Sequence, residues 1–273
     1  MPYLSAALNV MTSAARKAGR RLIRDFGEVE NLQISLKGPG DFVSVADQRT
    51  ERILLEELQK ARPGYGFLLE ESGEIEGPDK THRFIIDPLD GTTNFLHGIP
   101  HFAISIALER EGQLVSAVIF NPITDEMFVA EKGSGAYLND KRLRVAARKH
   151  MNEALFATGI PFLGRSNHDA YLQELAAVIG ATPGVRRFGS AALDLAWVAA
   201  GRYDGFWEHG LKAWDVAAGI LLVREARGVV TDLRGGSSML ESGDILASNE
   251  NLHPQMLHLL KNAGTEARPQ THG

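Results

Sequence analysis

Residues 84–95 read Phe84-Ile85-Ile86-Asp87-Pro88-Leu89-Asp90-Gly91-Thr92-Thr93-Asn94-Phe95. Three apolar β-formers end at two acids three positions apart, and Pro88 stiffens the turn between those acids. Gly91 then lets the backbone come close to a ligand, and two threonines and an asparagine follow. Strand ends in α/β chains are where loops converge over a rigid sheet and where sites form. An Asp-x-x-Asp-Gly turn alone is common. Its meaning comes from what lies on either side.

Upstream, Glu70-Glu71 follow the strand-like Phe67–Leu69, and Asp47 stands just before a helical stretch. Downstream, Asp215 follows Trp214 and opens another helix. Each has an ordinary structural use: Asp47 and Asp215 as helix N-caps, Glu70-Glu71-Ser72 as a solvated loop. The conjunction outweighs those uses, because every strong acid cluster falls at an element end. Carboxylates gathered this way suit Mg²⁺, a hard cation that takes oxygen ligands in near-octahedral geometry. Asp87 and Asp90 on one tight turn can face one locus. The amides of Gly91-Thr92-Thr93-Asn94 can meet a phosphate as a helix N-terminus does.

The chain around these acids reads as α/β. Leu4, Leu8, Met11, Ala15, Ala18, Leu22 and Phe26 recur at helical spacing. Short strands are expected at 33–36 and 42–45 around Gly38-Pro39-Gly40, and a helix over 48–60 stopped by Arg62-Pro63-Gly64. Residues 102–121 alternate as a hairpin about Glu111-Gly112, and strands at 127–130 and 137–145 continue a β-rich middle. Beyond a soft boundary at 146–152, strands at 155–158, 185–188, 206–208, 229–231 and 245–247 alternate with helices at 167–179, 191–200, 216–226 and 252–261. Residues 1–262 form one domain in this reading, and 263–273 a disordered polar tail.

Composition narrows the function. Lys plus Arg number 29 against 34 Asp plus Glu, a net charge of −5, which argues against a nucleic-acid footprint over the whole surface. A phosphorylated substrate must then be drawn in locally, and a bound cation would do it. The absence of cysteine excludes disulfides, thiolate zinc sites and a cysteine nucleophile. No apolar run approaches the roughly 20 residues of a membrane helix. The Arg-rich, acid-poor first segment, with Arg16, Lys17, Arg20, Arg21 and Arg24, reads as the first helix of the fold or as a mitochondrial transit peptide. The first helix is the preferred reading, and a cytoplasmic location the expectation.

Residues 84–95 resemble the first signature of the inositol monophosphatase family, and Ala213-Trp214-Asp215-Val216-Ala217-Ala218-Gly219 resembles its second. Leu69-Glu70-Glu71-Ser72 and Val45-Ala46-Asp47-Gln48 match further blocks in order, and the likeness spans roughly residues 4–262. The resemblance implies a layered α-β-α-β-α fold, as in fructose-1,6-bisphosphatase-like sugar phosphatases. It implies a lithium-sensitive phosphatase, usually dimeric, holding two to three Mg²⁺ ions. Glu70, Asp87 and the Leu89 carbonyl would hold the first ion. Asp87, Asp90 and Asp215 would hold the second, and a third would lean on Glu70. Thr92, hydrogen-bonded to Asp47, would position and help deprotonate the attacking water. The Gly91 and Thr92 amides would bind phosphate. Substrate hydroxyls would meet Glu208 and the Gly189-Ser190-Ala191 turn, with Lys37 a basic residue nearby.

Rival readings fit less well. A haloacid dehalogenase-type phosphatase needs its two acids two apart, not three, and an EF-hand needs alternating oxygens and a closing Glu. A regulatory protein on this fold would not need the full acid set. Within the family, Gly-Thr-Thr-Asn-Phe looks like the branch acting on myo-inositol 1-phosphate, whereas nucleotide 3′-phosphatases tend to carry Lys-Glu in place of Thr-Asn. Histidinol-phosphate and fructose-1,6-bisphosphate phosphatases share the metal site, and Glu208 would suit a polyol or an amine. His97, His101 and His209 are expected to pack or line the rim, since Mg²⁺ prefers oxygen.

Overall fold

A computed structural model describes residues 5–29, 34–38, 41–162, 164 and 167–263, with the backbone alone at 34–38 and 41–44. The expected tail from 264 onward, and Leu4, lie outside the described residues. Helix α1 (Ala6–Gly27) starts at Ser5, whose side chain accepts the Leu8 N–H at 3.2 Å. Its stripe of Leu8, Met11, Ala15, Ala18 and Leu22 is buried, so the amphipathic start is spent on the core. Strands β1 (Ile34–Gly38) and β2 (Asp41–Ser44) form an antiparallel ribbon leading into α2 (Val45–Ala61). That helix begins three residues before the expected 48. Asp47 is therefore inside its first turn and fully buried, not an N-cap.

An eight-stranded sheet follows. It comprises β3 (Gly66–Leu69), β4 (Gly73–Ile75), β5 (His82–Asp90), then, after α3 (Thr92–Leu96), β6 (Ala103–Arg110), β7 (Gln113–Asn121), β8 (Glu126–Glu131), β9 (Gly135–Leu138) and β10 (Lys141–Arg142). Its order is β10-β9-β8-β7-β6-β5-β3-β4, antiparallel except where β3 runs parallel to β5. The β6–β7 hairpin turns as expected at Glu111-Gly112, both with positive φ (50° and 75°). The remaining chain runs β11 (Leu155–Thr158), α4 (His168–Ala181), β12 (Gly184–Arg186), α5 (Ala191–Ala199), β13 (Gly205–Glu208), α6 (Ala213–Glu225), β14 (Val229–Thr231), α7 (Met239–Ser242), β15 (Ile245–Ser248) and α8 (Leu252–Asn262). The second sheet is ordered β12-β11-β13-β15-β14. The strand expected at 185–188 ends at Arg186, and α6 starts three residues before the expected 216.

Alternation along the strands assembles these parts into five layers. On β6, Ile104, Ile106 and Leu108 face one core with α1 and α2, whereas Ala103 and Ala107 face a second core with α5 and α6. On the small sheet, Ala157, Phe206, Ile245 and Ala247 face that same central core. Phe156, Trp207 and Leu246 point the other way, to a third core under α4 and α8. Both central helices are almost wholly apolar, as a helix buried on every side must be. They touch closely: a Cβ at Gly219 of α6 would lie 2.4 Å from Leu195 Cδ1 of α5. The order helix pair, sheet, helix pair, sheet, helix pair is the α-β-α-β-α layering expected.

Candidate active site

The site is built around an irregularity in β5. Asp87 pairs with Ser105 and Asp90 with Ala103, so three steps along β5 match two along β6. In a regular strand, residues three apart point to opposite faces. The extra residue is a β-bulge and returns both acids to one face, the face of Ala103 and the central helices. Pro88 has no N–H for the ladder to lose there, and Leu89 N–H donates instead to Asp87 Oδ1 at 2.8 Å. Gly91 then takes φ 98°, and a Cβ on it would lie 3.0 Å from the His101 carbonyl oxygen.

Three other segments converge on this turn. Asp215 is the third residue of α6. Its Oδ2 accepts the Lys212 N–H at 2.7 Å, so one carboxylate oxygen anchors the helix start. A carboxylate oxygen from each of Asp87, Asp90 and Asp215 falls in a set whose members all lie within 4.8 Å of one another, geometry suited to a metal ion. Glu70, one residue past β3, hydrogen-bonds the Asp87 carboxyl. From α2, Asp47 Oδ1 accepts from Thr92 Oγ1 at 3.0 Å, and the Leu89 carbonyl lies 3.0 Å from that same hydroxyl. Thr92 thus stands at the start of α3 with its hydroxyl fixed by two buried acceptors.

Electrostatics shows what this cluster lacks. Burial, then the charges of Glu70, Asp90 and Asp215, pushes Asp87 well above the usual carboxylate range. Burial and the charge of Asp90 do the same to Asp215. Asp90 is pushed up to about 6 by burial, although the Ser190 hydroxyl (2.5 Å) and the Ala192 N–H (2.7 Å) donate to its Oδ2 and pull it back. Acids held this way release their protons readily only when a cation binds and compensates their charge.

A cavity of about 410 Å³ opens over the acids. Of the residues singled out from the sequence, Glu70, Asp87, Leu89, Asp90, Gly91, Thr92, Gly189, Ser190, Ala191, Glu208 and Asp215 line it. Asp47 stands behind Thr92, and the side chain of Lys37 falls outside the described residues. Ser190 also caps α5, accepting the Leu193 N–H at 3.3 Å. Sequence reasoning gives no role to the Asn94 side chain, whose N–H₂ donates to the carbonyls of His101 (2.8 Å) and Phe188 (2.7 Å) and so ties α3 to the 188–190 turn. It also passes over Arg187 and Lys212 on the cavity wall. Their neighbours in sequence, Gly189 and Asp215, were the signal available. Of the histidines, His101 packs tilted against Phe188 and edge-on to Trp197, His209 pairs with Glu174 at 2.8 Å, and His97 is exposed.

Known proteins resemble this chain over nearly its whole length. The model of the "Inositol monophosphatase family" matches residues 4–265. An inositol-1-monophosphatase of Rhizobium meliloti is 64% identical over 248 residues, 91% of this chain and 93% of that protein. The Nus factor SuhB of Pseudomonas aeruginosa is 45% identical, covering 92% of this chain and 94% of that one. The crystal structure of the extragenic suppressor protein suhB from Bartonella henselae superposes with a TM-score of 0.92 at 59% identity, over 94% of this chain and 99% of that chain. The chain belongs to the inositol monophosphatase family of phosphoric monoester hydrolases.

Proposed function

We propose that the protein hydrolyses myo-inositol 1-phosphate, using two to three Mg²⁺ ions held by Glu70, Asp87, the Leu89 carbonyl, Asp90 and Asp215. The observation that carries the proposal is the triad of buried Asp87 and half-buried Asp90 and Asp215 beside a Thr92 hydroxyl tied to Asp47. The donor set fits the ion: it is all oxygen, no histidine enters it, and its members need a cation to stay ionised together. When bound, the ions lower the pKa of a water and balance charge on the phosphate and the leaving oxygen.

The chain's own residues do the rest. Thr92 Oγ1 presents a lone pair to the attacking water and passes proton density toward Asp47, which is buried and aligned to receive it. The Gly91 and Thr92 amides orient the phosphate, and Glu208, which lines the same cavity, accepts from substrate hydroxyls. No covalent intermediate is needed, consistent with a chain that has no cysteine. The same reading takes residues 1–262 as one catalytic domain, since both sheets share the central core. It places the protein in the cytoplasm as a lithium-sensitive homodimer. Among the described residues, no helix is long and apolar enough to cross a membrane.

The test is phosphate release from inositol 1-phosphate, histidinol phosphate, fructose 1,6-bisphosphate and adenosine 3′,5′-bisphosphate, with Mg²⁺ or with EDTA. Inositol 1-phosphate should lead in kcat/KM by at least about tenfold, or about 1.4 kcal/mol, and EDTA should abolish turnover. A different leading substrate would reassign the specificity. No release from any substrate by folded protein with Mg²⁺ would overturn the proposal.

A further inference from the structure

Two carboxylates reach out of α2 from one helix face. Asp47 and Glu51 stand four residues apart, about 6 Å of helix rise, and both are buried. Asp47 is accounted for by Thr92. Glu51 is 3% exposed, does not line the cavity and has no part in the chemistry above. Its Oε2 accepts the Glu71 N–H at 2.8 Å, and its Oε1 accepts the Ser72 hydroxyl. Both oxygens are therefore spent on the turn that begins at Glu70 and runs into β4. That turn closes the β3–β4 hairpin, in which Leu69 pairs with Gly73. Gly73 takes φ 75°, and β4 is a three-residue strand at the sheet edge. The Glu70 N–H donates to the Ile86 carbonyl of β5 at 3.2 Å.

We propose that Glu51 is a positioning residue for the metal site: by holding the Glu71 amide and the Ser72 hydroxyl, it sets the Glu70 carboxylate against Asp87, ready for a divalent cation. This inference rests on the reading of Glu70 as a metal ligand. With it, one rigid helix fixes both sides of the reaction centre, Thr92 through Asp47 and Glu70 through Glu51. Without Glu51 the Glu71 N–H loses its buried acceptor, the turn loosens, and an entering ion must order Glu70 itself. A glutamine at this position can accept through one oxygen but turns an N–H₂ group toward a second donor, so one of the two contacts is lost.

The experiment is calorimetric titration of Mg²⁺ into the substrate-free protein, for the parent, E51Q and S72A, beside kcat at saturating Mg²⁺ and the Tm with and without the ion. E51Q should bind Mg²⁺ at least about fivefold more weakly. S72A, which keeps the Glu71 contact, should fall between E51Q and the parent. Both variants should retain kcat within about threefold once Mg²⁺ saturates. A residue serving stability alone would lower the Tm equally with and without Mg²⁺ and leave the affinity unchanged, and that result overturns the inference. If E51Q does not fold, S72A decides it. A parent protein that binds no Mg²⁺ overturns the metal reading and this inference with it, whereas parent binding with unchanged variants overturns this inference alone.

Discussion

Replacing Asp90 with Asn should make the metal-free protein more stable while disabling it. Asp90 titrates at about 6 in the fold against an ordinary 3.8, so carrying its charge well above pH 6 costs about 3 kcal/mol. The amide keeps an oxygen that can accept from Ser190 and Ala192, and it removes one of the charges raising Asp87 and Asp215. Burying the extra N–H₂ group takes back part of the gain, leaving roughly 1–2 kcal/mol, or about 2–8 °C in Tm. The sign depends on pH. Between about pH 4 and 6 the native parent holds the extra proton, so its metal-free stability falls as pH rises through that window. Calorimetry in EDTA should therefore show D90N ahead of the parent at pH 7.5, with the advantage shrinking toward pH 4. Mg²⁺ at 100 times its Kd adds about 2.7 kcal/mol to the parent per site and should close or reverse the gap. A D90N protein less stable than the parent in EDTA at pH 7.5, or an advantage undiminished at pH 4, would refute the reasoning.

Other consequences can be measured separately. A Cβ at Gly159 would lie 1.9 Å from Glu208 Cδ, so G159A must push the carboxylate aside; KM should rise about tenfold or more with kcat within about twofold, as for loss of one charged hydrogen bond. Unchanged KM would remove Glu208 from substrate binding. G219A drives a methyl group into Leu195 and should cost about 1–3 kcal/mol, read as a lowered urea midpoint at unchanged slope. For His209, burial opposes the charge, but the hydrogen bond and charge of Glu174, with Asp244, outweigh it and raise the pKa above 6.5. Its stabilising contribution is full below that value and fades as pH rises through the folded pKa. E174Q should lower the His209 pKa followed by ¹⁵N NMR and flatten the fall in Tm above pH 6.5; an unmoved pKa would rule out Glu174 as the cause.

The acids and the elements that carry them were legible because both signals are local. Apolar periodicity marks α1, β6 and β7, and turn chemistry marks Glu111-Gly112. What stayed hidden depends on tertiary pairing. Pro88 argues against a continuing strand, yet β5 runs through it because the bulge needs no N–H there. The starts of α2 and α6 were placed three residues late because Asp47 and Asp215 look like caps. In the fold both acids sit inside the first turn, where they complement the helix dipole as well as facing the site. Glu51 gave no signal at all, since its partners lie twenty residues on across a sheet edge.

The two faces of the large sheet also differ in a way that matters while the chain is being made. Its outer face, with Ile104, Ile106, Leu108 and Phe120, is covered by α1 and α2, which leave the ribosome first. Its inner face must wait for α5 and α6, which end at Glu225, well after β10 closes at Arg142. At elongation rates of about 5–20 residues per second that delay lasts roughly 4–17 s. The waiting face carries Ala103, Ala107, Ala117, Ala130 and Ala136 beside the larger Ile85, Ile119 and Phe128. The alanines let the central helices pack closely in the finished protein, whereas Ile85, Ile119 and Phe128 leave the nascent chain an apolar surface that α5 and α6 must cover before other chains do.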